Sequence, residues 1–170
     1  MNQPFYASSQ INRHGDFRSN KGLIKNIISD NNTKFVPVLN GKNLFRQSDT
    51  SIEAYFFNSE QLKAIFPNGI DSPIFLGVTN NINYVGVDLD QNNSEMDLWC
   101  NKNSIIVEDL RKYGPTLNDV DASFLSLNNG MTFWHKTHQF CGSCAFIINA
   151  TEAGFVKVSS NIGCGKSHFP

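Results

Sequence analysis

Apolar positions recur along the chain in two rhythms, one of helical spacing and one of alternating strands. Leu23, Ile24, Ile27 and Ile28 share one helical face behind Asn20, a suitable N-cap, and predict a short helix through Ile28. Phe35 to Leu39, the Asn40-Gly41 pair and Lys42 to Phe45 predict a hairpin closed by a type I′ turn. Pro37 has no N–H to give to a ladder, which places its strand at a sheet edge. Ile52 to Phe57 predicts a further strand. Ser59 then caps a helix carrying Leu62, Ile65 and Phe66, which Pro67 ends. Pro73 to Val78 and Tyr84 to Leu89 form the clearest strand pair, and Gly77 and Gly86 within them point to a bulge or a close backbone approach. Residues 90–103 are polar and read as a surface loop, while Ser104 to Leu110 is a short apolar piece with no firm assignment. Asn118 or Asp119 opens the longest helix, in which Val120, Phe124, Leu127, Met131 and Trp134 make one stripe. Gly130 inside it costs about 1 kcal/mol relative to Ala, which packing has to offset.

From Phe140 onward cysteine, glycine and short β-prone runs replace the helical rhythm, so a boundary falls near residue 138. Composition narrows the function classes. With 40% apolar residues and 14 Phe, the chain can build a real core. A net charge of -1 with scattered Lys and Arg gives no field for nucleic acid or an anionic membrane. No apolar run is long enough for a membrane span, and residues 1–16 lack the apolar heart of a signal peptide. The chain therefore reads as soluble and intracellular, its compartment open, and its four Cys do not form a disulfide framework.

The chemistry sits in Cys141-Gly142-Ser143-Cys144. Two thiolates two residues apart in a tight turn can grip one zinc ion, each at about 2.3 Å. Cys164 supplies a third sulfur, and the fourth position is open. Ser159 is a poor ligand because its hydroxyl resists ionisation, whereas His168 is chemically better. Cys100 reads as a buried apolar residue. A redox role for the pair lacks the thioredoxin-like βαβ setting. Asp88 and Asp90 are a candidate cation site or a solvated strand end. His135 and His138 read as helix-terminal residues favoured by the dipole or by packing rather than as metal ligands.

Trp134-His135, followed by Phe140-Cys141-Gly142-Ser143-Cys144, resembles the junction of the NADH pyrophosphatases, a family of Nudix hydrolases. Asp121 to Leu125 ahead of it, Glu152-Ala153-Gly154-Phe155 and His168-Phe169-Pro170 after it match further family signatures. Ile11-Asn12-Arg13, Phe17-Arg18, the strands at 74–78 and 84–89 and Asp109-Leu110-Arg111 lie in the expected order. The resemblance covers nearly the whole chain. Some eukaryotic-type members place four cysteines at the positions of Cys141, Cys144, Ser159 and Cys164, so Ser159 stands where a thiolate is expected.

The resemblance implies an α+β fold, a mixed sheet with flanking helices over residues 1–138, followed by a small zinc-ribbon segment over 139–170. It implies hydrolysis of NADH or NAD⁺ to nicotinamide mononucleotide and AMP, with removal of NAD caps from RNA as a further activity, and a homodimeric assembly. That chemistry needs magnesium or manganese on clustered Glu residues. The five Glu here, Glu53, Glu60, Glu95, Glu108 and Glu152, are isolated, and no Nudix box is present. The expected catalytic domain follows the His-aromatic-Pro signature, so this chain on its own is expected to be inactive. The alternative is a non-catalytic scaffold or dimerisation module.

Overall fold

The computed structural model describes residues 6–70, 72–90 and 93–170, the side chains of 93–95 excepted. In chain order it runs α1 (Lys21–Ser29), β1 (Lys34–Leu39), β2 (Lys42–Gln47), β3 (Ile52–Ala54), α2 (Ser59–Ile65), β4 (Ile74–Thr79) and β5 (Ile82–Asp88). It continues through α3 (Asn93–Lys102), β6 (Ile105–Glu108), α4 (Leu110–Tyr113), α5 (Asp119–Thr137), β7 (Ile148–Thr151), β8 (Val156–Ser159) and β9 (Ser167–His168). The fold is α+β, with a mixed six-stranded sheet and a separate three-stranded one.

Two tight turns seed the main sheet. Asn40-Gly41 and Asn80-Asn81 have positive φ at all four positions, as type I′ turns require. β5 then lies parallel to β1, with Val36 opposite Gly86 and Pro37 opposite Val87. The expected edge position for Pro37 is therefore wrong: β1 is an interior strand. Its pairing with β2 covers only Val38 with Asn43 and Leu39 with Lys42. Beyond that the hairpin splays, and residues 52–57 enter the gap. Phe45 pairs with Ala54, and Phe35 exchanges both of its backbone hydrogen bonds with Phe57 at 2.9 Å. Pro37 faces this side between Phe35 and Leu39, at the splay, where its missing N–H deprives no ladder partner. On its opposite edge β2 pairs with β6.

Alternation along the strands feeds two cores. Phe35, Leu39, Phe75, Val85 and Val87 pack beneath α1, α2 and α3. Val36, Ile74, Leu76 and Tyr84 meet α5 on the other face, where Tyr84 stacks on Phe124 with ring centroids 4.0 Å apart. The expected loop over 90–103 is thus partly a helix. Met96, Trp99 and Cys100 fall at helical spacing and bury against the first core, though Asn, Ser and Asp around them mask the stripe. The cap of α2 also lies one residue earlier than expected. Asn58 accepts from the Gln61 N–H at 2.8 Å in a reciprocal capping box, which frees Ser59 to bond the Asp30 carbonyl.

Both strand glycines are required. Gly77 sits at a β-bulge with φ 136°, and a Cβ there would lie 2.7 Å from the Asn12 carbonyl oxygen. Gly130 is different: a Cβ on it would meet nothing within 4 Å, so no packing offsets its cost. Gly130→Ala is expected to raise stability by about 0.5–1 kcal/mol. A thermal midpoint that fails to rise would count against this account.

Candidate metal centre

The site is built on the end of α5. Asn118 caps that helix at its start, accepting from the Asp121 N–H at 2.8 Å, and Thr137 ends it. The last turn of a helix leaves carbonyls without partners. Lys157, buried on β8, supplies them: its ammonium donates to the carbonyls of His135 at 2.9 Å and His138 at 2.6 Å, and lies 5.2 Å from the Trp134 ring centroid. His135 Nε2–H donates to the Gly154 carbonyl at 2.7 Å. Burial lowers the pKa of His135, which keeps the ring neutral for that bond.

Gly154 closes a run of three left-handed residues, Glu152, Ala153 and Gly154. A Cβ at Gly154 would stand 3.0 Å from Ile74 Cγ1, so the turn lies directly against β4. Arg18 covers its far side, with the guanidinium carbon 3.4 Å from the Phe155 ring centroid. The C-terminal sheet β7-β8-β9 is therefore fastened to α5, to β4 and to the segment before α1.

Within this sheet the three predicted ligands converge. The ligand atoms of Cys141, Cys144 and Cys164 all lie within 4.8 Å of one another, and no His, Asp or Glu joins them among the described residues. Cys141 Sγ and Cys164 Sγ are 3.9 Å apart. Four donors at about 2.3 Å in a tetrahedron stand about 3.8 Å apart, so that edge already has coordination length. Cys141 is buried and the other two are half-buried. Ser159 Oγ lies 3.2 Å from Cys144 Sγ. That hydroxyl, followed by the Phe146 N–H, lowers the Cys144 thiol to about 7. The Ser143 N–H, then the Cys144 N–H and the His168 side chain, lower Cys141 as well. Thiolates are the ligating form, so the first turn prepares Cys141 and Cys144 to hold a metal ion, whereas Cys164 is raised, its Lys166 N–H bond being outweighed by its cysteine neighbours and burial.

The remaining candidates fall elsewhere. Cys100 lies in the first core beneath the sheet, where burial pushes its thiol up to about 11. His168 is half-buried on β9 with its Nε2 unpartnered; its side chain lies beside the Cys141 thiol but is not one of the three converging ligands. His135 and His138 serve the seam with α5: His135 as a donor, His138 through its carbonyl and its ring near Trp134. Sequence reasoning missed Lys157, whose partners lie 22 and 19 residues away and leave no local signal.

Asp88 and Asp90 already share a cation. The Lys136 ammonium lies 3.1 Å from Asp88 and 2.5 Å from Asp90, and the Asn40 N–H also donates to Asp90. Burial acts to raise the pKa of Asp90, but Lys136 and Asn40 outweigh it and hold the carboxyl below its ordinary value. A depressed carboxylate adds stability above its unfolded pKa and loses it as pH falls through the folded one. Lys136→Met is thus expected to cost up to about 1 kcal/mol at pH 7, as the pair is partly exposed. The difference should shrink below about pH 4. Urea unfolding at pH 7 and pH 3 checks this; an equal difference at both would contradict it.

No protein-family model matches the chain, and no curated protein sequence matches it significantly. Among the described residues no helix is long and apolar enough to cross a membrane.

Proposed function

We propose that this chain is the N-terminal and ribbon portion of an NAD(H) pyrophosphatase of the Nudix class, with zinc as the structural metal on Cys141, Cys144 and Cys164. The seam at the end of α5 carries the reading. Trp134 and His135, the residues that open the family-like junction, are the ones that Lys157 and Gly154 grip, and the cysteine turn follows directly. In this reading the chain positions and supports. Cleavage of the NADH or NAD⁺ pyrophosphate, with magnesium or manganese on clustered Glu residues, belongs to a Nudix domain outside residues 1–170, and NAD-capped RNA is a further substrate of that domain. The working compartment is intracellular.

Sequencing the transcript beyond the Pro170 codon tests the assignment. An in-frame Nudix box within the next hundred or so codons supports it, and a reading frame without one overturns it. The 1–170 chain alone should release no AMP from NADH with Mg²⁺ or Mn²⁺.

A second reading, a non-catalytic scaffold or dimerisation module, is favoured by one observation. Phe140, Phe146, Ile147 and Phe169, which flank the strands of the C-terminal sheet, are each more than half exposed, and exposed apolar residues in one segment favour association. Equilibrium sedimentation of the purified chain tests it, since a monomer at all concentrations removes self-association.

A further inference from the structure

The two turns that carry the cysteines are built alike. In the first, the Ala145 N–H donates to the Cys141 carbonyl at 2.8 Å; in the second, the Gly165 N–H donates to the Asn161 carbonyl at 3.0 Å. The residue after the final cysteine is left-handed in both, Ala145 with φ 58° and Gly165 with φ 53°. Position for position, Asn161 is the counterpart of Cys141. Its side chain is engaged locally, with Oδ1 accepting from the Gly163 N–H at 3.0 Å.

Ser159, two residues earlier at the end of β8, contacts the Cys144 sulfur instead. It is 7% exposed, and its Oγ accepts from the Asn161 N–H at 3.3 Å while lying 3.2 Å from Cys144 Sγ. A zinc ion with one oxygen donor near 2.0–2.2 Å and sulfurs near 2.3 Å needs an oxygen-to-sulfur edge of about 3.5 Å. The Ser159 oxygen, at 3.2 Å from Cys144 Sγ, is a few tenths of an ångström short of that length, so only a slight widening of this edge would admit the ion.

We propose that the metal bound by this chain has a Cys₃Ser donor set, with Ser159 Oγ as a neutral, exchangeable fourth ligand that a small imidazole or thiol displaces. Three thiolates already outweigh the charge of a divalent ion, so the hydroxyl keeps its proton. A protonated hydroxyl is the weakest donor of the set, and it leaves first. The inference rests on the metal assignment above and not on the pyrophosphatase reading.

The test loads the full chain with Co²⁺ under anaerobic conditions and reads its absorption. In the parent chain, added imidazole should shift the visible bands. Ser159→Ala should keep the metal but show shifted bands, as water takes the vacated place. Ser159→Cys should gain about a third in thiolate-to-metal charge-transfer intensity, for four sulfurs against three. It should also stop responding to imidazole and resist roughly tenfold more chelator. Asn161→Cys should leave the parent spectrum in place. Two results would overturn the proposal: a spectrum indifferent to both Ser159 variants, or a gain in charge transfer in Asn161→Cys. Failure of every variant to take up Co²⁺ overturns the metal assignment as well. A missing Nudix box leaves all these outcomes unaffected.

Discussion

Gly86→Ala is expected to lower the unfolding free energy by about 2–4 kcal/mol. The added Cβ would stand 2.0 Å from Asn128 Oδ1 and 2.6 Å from its Cγ. Asn128 is fully buried on α5, and its Nδ2 donates to the Val36 carbonyl at 2.7 Å. Val36 is the residue opposite Gly86 across the parallel β1–β5 pair. The amide therefore cannot swing clear without giving up that bond, and α5 cannot rise without opening the second core. Asn128 Oδ1 has no hydrogen-bond partner in the fold. Its place is kept by the absence of a side chain at 86. Asn128→Ala is expected to cost about 1 kcal/mol, and the double variant less than the sum of the two, because the clash is shared. Urea unfolding of the four proteins measures the coupling. An unchanged midpoint for Gly86→Ala would refute the close approach.

Lys157→Met should detach the C-terminal sheet from α5 while leaving the main sheet folded. The ammonium holds two helix-terminal carbonyls and lies near the Trp134 ring. Loss of two charge-assisted bonds and a cation–π contact amounts to about 2–3 kcal/mol of docking free energy. Methionine keeps the apolar stem, so the missing charge is what the comparison reads. Hydrogen exchange locates the effect. The amides of Cys141 and Ile148, bonded to Phe146 and Gln139, should lose protection, while those of β1 and β5 keep theirs. Unaltered protection at Cys141 and Ile148 would show that Lys157 is not the fastening.

Much of this was legible in the chain because it is local. The Asn40-Gly41 turn, the α1 cap at Asn20, the α5 stripe and the meeting of Cys141 with Cys144 depend on residues within a few positions of one another. What was misread depends on partners far off in sequence. Pro37 is an interior residue because β5 pairs along one side of β1 and residues 52–57 fill the splay on the other. α3 is a helix whose apolar face needs Tyr55 and Phe57 to make sense of Trp99, which packs 5.9 and 5.3 Å from their rings. At the candidate site, the signal that could have been read was Asn161-x-x-Cys164-Gly165 mirroring Cys141-x-x-Cys144-Ala145. A search for cysteines alone passes over it.

The bulge at Gly77 and the short bridge from Asn12 have one more consequence, for how this sheet meets other chains. The outer side of β4 is a strand edge, the kind of backbone row that recruits a stranger's strand and nucleates aggregates. Here it is already taken. Val78 exchanges both of its backbone hydrogen bonds with Asn12, at 2.9 and 2.8 Å, and Arg13 Nη1 donates to the Leu76 carbonyl at 2.8 Å. Between them the bulge twists the strand out of straight register. A foreign strand finds no open ladder on this margin, so association along β4 has to proceed through side-chain surfaces rather than by growth of the sheet.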